Sequence, residues 1–421
     1  MPSPDLDKLK ASTDDIERRY AALRDRRLAL DMTRGKPCPE QLDLSNELLT
    51  ILTAGDYRAA DGTDCRNYGG LDGLPESKAL FAEFLEVSPK EILVGDNSSL
   101  TLLHDTIARA VSHGVPGGNG PWSQGPVKFV CPVPGYDRHF AICEHFGVEM
   151  VNVELLPDGP DMDRLEAMVG SDPSVKGMWL VPKYANPSGA TCSDAVVERL
   201  ATMRTAAPDF RILWDNAYAH HHLTDSPPAL ANILEACKRA GNPERVFIYG
   251  STSKITFAGA GMAVMAASEK NVAWMKLHRS RSTIGPDKLN ELRHARFFRN
   301  MEGVRAHMKK HAELLKPKFE AVERVLRREL GDGGLATFTK PFGGYFVSLD
   351  TMDGCAKSVV KMAAEVGVKL TEAGATFPYG KDPRDRNIRI APTLPKLAEI
   401  EAAMEVLAVC VQRASLQKFG A

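Results

Sequence analysis

Seven short apolar runs, rich in β-branched and aromatic residues, recur through the middle of the chain. They are residues 91–94, 127–130, 148–153, 177–181, 210–214, 246–249 and 262–266. Stretches with apolar positions at helical spacing separate most of them, for example Leu100 to Val111 and Ala195 to Thr205. Strands alternating with helices predict an α/β architecture: a mostly parallel seven-stranded sheet sandwiched by helices. Several runs are apolar on both sides, Val246-Phe247-Ile248-Tyr249 among them. A strand buried between two helix layers needs that pattern.

The pattern changes after about Pro286. Val304, Met308, Leu315, Phe319, Val322 and Leu326 fall near helical spacing and predict helix as far as Leu330. Pro317 is expected to kink or divide it, because a proline inside a helix removes a donor and crowds the turn before it. Beyond Gly331-Asp332-Gly333-Gly334 comes a smaller α+β segment. It holds a strand at Gly344 to Leu349, a helix from Lys357 to Glu365, the strand Asn387-Ile388-Arg389-Ile390 and a final helix from Pro395 to Gln412. The charged first helix, Asp14 to Leu28, is expected to pack on this C-terminal part. The division expected is an N-terminal segment over 1–49, a large domain over 50–300 and a small one over 301–421.

At 421 residues the chain is too long for one core. Its net charge of −1 offers no global field to nucleic acid or to an anionic membrane. No apolar run approaches a membrane span, and Met1 to Asp7 lacks the basic and apolar regions of an export signal. A cytoplasmic location is therefore expected. The eight cysteines include no Cys-x-x-Cys pair and read as reduced thiols, not as a disulfide framework or a zinc site. His220-His221-His222 reads as a loop whose first members flank a pocket, since three consecutive side chains of a regular element cannot face one metal.

Ligands of parallel sheets gather at the carboxyl ends of strands. Asn186, Asp215 and Lys254 all lie just past such ends. Lys254 follows Ser251-Thr252-Ser253, so an amine stands beside hydroxyls suited to a phosphate. Asp215 is placed to keep a ring nitrogen protonated, and Tyr218 and Asn186 to donate to a ring oxygen. Asp96-Asn97-Ser98-Ser99 opens a helix and makes an anion cradle there; Asn97, Ser98 and Ser99 are its candidate ligands, with Ser251 and Ser253. Tyr136, in Pro134-Gly135-Tyr136, is placed to stack on a ring. Singly, each string has a plain reading as a cap or a turn. In this order they fit one cofactor, pyridoxal phosphate (PLP), bound to Lys254 as a Schiff base.

The chain resembles the fold-type I PLP-dependent aminotransferases of class I/II from Gly35 to Arg389. The matching motifs are Tyr68-Gly69-Gly70-Leu71-Asp72-Gly73-Leu74-Pro75-Glu76, Pro134-Gly135-Tyr136, Asn186-Pro187-Ser188-Gly189, Asp215-Asn216-Ala217-Tyr218, Ser251-Thr252-Ser253-Lys254 and Asn387-Ile388-Arg389-Ile390. Thr33-Arg34-Gly35-Lys36-Pro37 and Tyr136-Asp137-Arg138-His139-Phe140 are most similar to the actinobacterial, MocR-like aspartate aminotransferases. The resemblance implies Lys254, Asp215 and Tyr218 as catalytic residues. It implies a homodimer in which Tyr68 reaches the phosphate of the other subunit's cofactor. It implies Arg389 as the clamp on the substrate α-carboxylate, with Gly35 letting the backbone approach. Many relatives carry a phosphate-binding arginine where this chain has Met262, so Lys288 or an arginine of Arg279-Ser280-Arg281 is expected to replace it.

The second carboxylate of a dicarboxylic substrate needs another cation. Arg138 is the candidate, two residues past Tyr136; Arg279 and Arg281 are its rivals. The expected reaction is amino transfer from L-aspartate to 2-oxoglutarate. Three alternatives compete. One is a broader aromatic or kynurenine-like specificity, if Phe140, Trp179 and Tyr345 line an apolar wall. Another is a cysteine-conjugate β-lyase. The third is a non-enzymic MocR-type sensor, disfavoured because only about fifty residues precede the first cofactor motif and no basic patch accompanies them.

Overall fold

The computed structural model describes residues 10–331 and 334–418. The stretch Met1 to Asp7 and the centre of the Gly331–Gly334 turn lie outside the described residues. In chain order the strands are β1 (Leu30–Asp31), β2 (Ile92–Val94), β3 (Lys128–Val133), β4 (Glu149–Leu156), β5 (Gly159–Pro160), β6 (Val175–Leu180), β7 (Arg211–Asp215), β8 (Val246–Ser251), β9 (Ala263–Ala267), β10 (Ala336–Phe338), β11 (Val347–Thr351), β12 (Val368–Lys369) and β13 (Asn387–Ile390).

One sheet has the order β2-β9-β8-β7-β6-β3-β4-β5. The pairs from β8 to β4 are parallel. β9 runs antiparallel to both neighbours, and β5 antiparallel to β4. All seven predicted runs enter this sheet. The expected count of seven becomes eight because β5 adds a two-residue edge, too short to leave a pattern in the sequence. Side chains alternate between two buried layers, as a strand's period of two requires. Ile212 and Trp214 of β7 join Val197, Leu200 and Cys237 on one face, while Leu213 joins Leu103, Ile107 and Met275 on the other.

The smaller sheet, β10-β11-β13, is antiparallel. It shares a core with the helices Ala356–Val366 and Leu397–Lys418 and with the C-terminal half of the helix Met301–Leu330. The helix Thr13–Asp25 joins that core through Ile16, Tyr20 and Leu23. Its Tyr20 hydroxyl donates to Met362 O (3.2 Å) and Glu365 Oε2 (3.0 Å). β1 then pairs in parallel with β12. Pro317 does not divide the long helix, which runs unbroken from Met301 to Leu330. Pro317 and Glu313 are exposed, so the carbonyl deprived of its donor faces water. The break comes earlier, at Arg299 (φ +66°), where Asn300 caps the new helix by accepting from Gly303 N–H.

All eight cysteines are buried and free. Among the described residues, no helix is long and apolar enough to cross a membrane.

Candidate active site

The carboxyl ends of β7 and β8 open on a cavity of about 130 Å³. Asp215 is the last residue of β7. After β8, Ile255 and Thr256 donate to Thr252 O (both 2.8 Å), and this single turn sets Lys254 over the sheet end. Ser98 stands at the N-terminus of the helix Ser99–His113. Tyr136 precedes the helix Asp137–His145. Ser98, Ser99, Tyr136, Asn186, Asp215, Tyr218, Ser251, Ser253 and Lys254 all line the cavity.

Lys254 Nζ lies 5.0 Å from the centre of the Tyr218 ring. Burial lowers its pKa, and the nearby Asp215 charge offsets part of that shift. Asp215 Oδ2 lies 2.9 Å from His139 Nε2, and the His139 ring is stacked on Trp179 at 4.6 Å and 10°. Asp215 Oδ1 is buried with no partner among the described residues. A buried carboxylate oxygen in that state is costly unless a donor meets it. Burial also raises the Tyr218 pKa and pushes Tyr136 up to about 12, so both phenols remain donors at neutral pH.

The sequence reading missed His139. Its signal was spacing, since it follows Tyr136 by three residues and so comes round to the same side of the helix.

The phosphate-side assignments change in three ways. Asn97 does not line the cavity: its side-chain amide donates to Gly259 O (3.2 Å), and its backbone carbonyl accepts from Ser253 Oγ (3.0 Å). Met262 lies in the core with its N–H on Thr252 Oγ1 (2.9 Å). Two of its three proposed substitutes are engaged elsewhere. Lys288 donates to Gly69 O (2.7 Å), and the buried Arg279 donates to Val94 O (2.9 Å). Among the described residues lining the cavity, Lys254 is the one basic side chain.

Arg389 is buried beside this cavity. Its Nη1 donates to Asp137 Oδ1 (2.8 Å) and reaches Asn186 Oδ1 (3.5 Å), and Nη2 reaches Thr371 Oγ1 (3.4 Å). Its guanidinium carbon sits 5.1 Å from the centre of the Phe346 ring. Gly35 is also required sterically: a Cβ there would stand 2.5 Å from Phe346 Cζ. Arg138 and Arg281 are exposed, and neither has an ion-pair partner among the described residues. Tyr68 is 82% exposed. Phe140 and Trp179 are core residues outside the cavity wall, so they do not make the apolar surface that aromatic specificity required.

Behind Lys254 runs a second polar cluster. Tyr345 Oη donates to Lys254 O (3.2 Å), and His221 Nε2 is 3.3 Å from the same oxygen. Gln41 Nε2 donates to Tyr345 Oη (3.0 Å) and contacts His311 Nδ1 (2.9 Å). His311 Nε2 is 3.1 Å from His307 Nε2, itself 2.8 Å from Ile255 O. Burial pushes His311 down to about 3 and lowers His221 and His307 too. The three consecutive histidines point apart, His220 to Phe84 O and His222 to the Tyr184 hydroxyl.

A family model described as aspartate amino-transferase matches residues 5–421. The chain belongs to the aspartate amino-transferase family. It is 51% identical to a Mycolicibacterium smegmatis protein described only as an aminotransferase, over 98% of this chain and 97% of that one. It is 47% identical to an aspartate aminotransferase of Corynebacterium glutamicum, over 99% and 96%. The crystal structure of a C. glutamicum aspartate transaminase superposes with a TM-score of 0.96, covering 99% of this chain and 98% of the other. The protein is thus an aspartate aminotransferase-like enzyme of fold type I.

Proposed function

We propose that this member of the family is a cytoplasmic, PLP-dependent homodimer that moves the amino group of L-aspartate to 2-oxoglutarate. One observation carries the reading. An amine with a lowered pKa, Lys254 Nζ, shares a buried cavity with a carboxylate oxygen that has no partner, Asp215 Oδ1.

The residues fit the cofactor. Asp215 Oδ1 would accept the ring N–H while His139 holds the other oxygen. Tyr218 and Asn186 would donate to the ring oxygen, and Tyr136 would cover a ring face. Ser98, Ser99, Ser251 and Ser253 would hold the phosphate at the helix N-terminus. Bound there, PLP supplies a sink for the electrons of the substrate α-carbon. Lys254 takes the proton from that carbon and returns it, because burial keeps more of its amine in the neutral, accepting form. Arg389 orients the α-carboxylate. Arg138 meets the distal carboxylate, with Arg281 its rival across a dimer interface. Arg279, buried and donating to Val94 O, is the other rival.

The homodimer is supported by an exposed apolar face. Tyr68 and Ile284 are each more than half exposed, and Gly285 packs closely on the Gly69 carbonyl, which brings Ile284 to the Tyr68 loop. If Tyr68 serves the neighbouring site, dilution to monomer should release the cofactor.

The test is a visible absorption titration of the PLP-loaded protein. L-aspartate should abolish the band of the lysine-bound cofactor, and 2-oxoglutarate should restore it. A band that ignores aspartate would leave the cofactor reading standing and remove the dicarboxylate specificity.

A further inference from the structure

Arg389 already has a carboxylate. Asp137 Oδ1 takes its Nη1 at 2.8 Å, in the position of charge partner that a substrate α-carboxylate competes for. The two side chains differ in access: Asp137 is 35% exposed and Arg389 only 8%. Asp137 therefore lies on the solvent side of the pair, where an arriving anion meets it first. The remaining contacts of Arg389 are long and uncharged, at 3.5 Å to Asn186 and 3.4 Å to Thr371, and its Nε is buried without a partner. The guanidinium thus has donor capacity to spare and a single counter-charge.

Asp137 itself is held by no second cation among the described residues. It stands in the first turn of its helix, where an unpaired carboxylate is favoured by the free N–H groups. Arg138, exposed and without an ion pair, is the next residue. Losing Arg389 would leave Asp137 in a tolerable place.

We propose that Asp137 is a built-in competitor for the substrate α-carboxylate, exchanged off Arg389 when an amino acid or a 2-oxo acid binds. The inference rests on the reading of Arg389 as the α-carboxylate site. Exchange means that only a ligand with its own carboxylate can occupy Arg389, since a neutral group cannot replace an ion pair. It also lowers the apparent affinity for every substrate by the fraction of time Arg389 is free. The effect is common to all side chains, unlike that of a cation reserved for the distal carboxylate.

The experiment uses the PLP-loaded enzyme and maleate, which has no amino group and cannot react. Asp137→Asn keeps the size and the helix start and removes the charge. Its Kd for maleate should fall about tenfold, the factor expected if Arg389 is free about a tenth of the time. KM should fall by a similar factor for aspartate and for alanine, with the change in KM and not in kcat. Asp137→Ser, with a side chain that still suits a helix start, is the second variant, and a thermal melt confirms that each is folded. Weaker maleate binding in both would mean that Asp137 positions Arg389, and it would overturn the proposal, as would unchanged binding. Arg389→Leu separates the two readings. If it binds maleate as the parent does, the carboxylate assignment of Arg389 itself falls.

Discussion

The front and the back of Lys254 are both buried and both polar, but the back meets nearly all of its hydrogen bonds and the front does not. In front, Asp215 Oδ1 and, beside the cavity, Arg389 Nε lack partners among the described residues. Behind, Tyr345, Gln41, His311 and His307 form a chain of contacts between 2.8 and 3.2 Å that ends on the carbonyls of Lys254 and Ile255, and among the described residues of that cluster His221 Nδ1 alone is buried without a partner. Unmet buried polarity is expensive, so it persists where a ligand will meet it. Met polarity adds rigidity and specifies one arrangement. The back thus fixes where the lysine backbone stands, and the front is left for chemistry.

The largest effect should come from removing the amine itself. Lys254→Ala should lower transamination on the order of 10⁴-fold and abolish the visible band, while the melting temperature holds or rises because a buried amine is gone. A lower melting temperature would show that Lys254 supports the fold as well. Next comes Asp215→Asn, which keeps an acceptor for His139 and loses the charge. A rate loss of about 10³-fold is expected; a loss below tenfold would mean that Oδ1 faces no cationic ring. The back should respond in stability first. Tyr345→Phe strips one donor from Lys254 O and one acceptor from Gln41, and urea unfolding should show a cost of about 1–3 kcal/mol. A kcat loss matching that of Asp215→Asn would erase the distinction between the two faces.

The smallest effect is a pH slope. Burial pushes His311 down to about 3 in the folded chain, and it lowers His221 and His307 as well. The unfolded chain binds their protons below about pH 6.5. Their stability is therefore fully present above about 6.5 and is lost as the pH falls toward the folded values, at up to about 1.4 kcal/mol per pH unit for each group. His311→Gln should flatten that slope between about pH 6.5 and 4 in denaturant midpoints. An unchanged slope would show that His311 is not held neutral.

Much of the front was legible because each residue adjoins an apolar run. Asn186, Asp215 and Lys254 follow strands, and Ser98 and Ser99 open a helix. The back was not legible. Gln41 meets His311 across 270 residues, and Tyr345 meets Gln41 across 304. No local period carries such a pairing. Asn97 shows a subtler limit. It lies in the right loop, but the direction of an amide depends on neighbours distant in the chain. β5, β1 and β12 are two residues each, too short for any periodicity.

The eight buried thiols have a consequence of another kind. Cys131 and Cys237 lie in the two layers of the large sheet, and Cys355 and Cys410 lie in the core of the small one. Burial raises the pKa of Cys131 and pushes Cys192, Cys237 and Cys410 up to about 12, so little thiolate exists while the layers stay closed. An alkylating reagent therefore reacts at the rate at which each region opens. With the modified cysteine identified by mass, the chain keeps a separate clock for the breathing of each layer, and no label has to be introduced to read it.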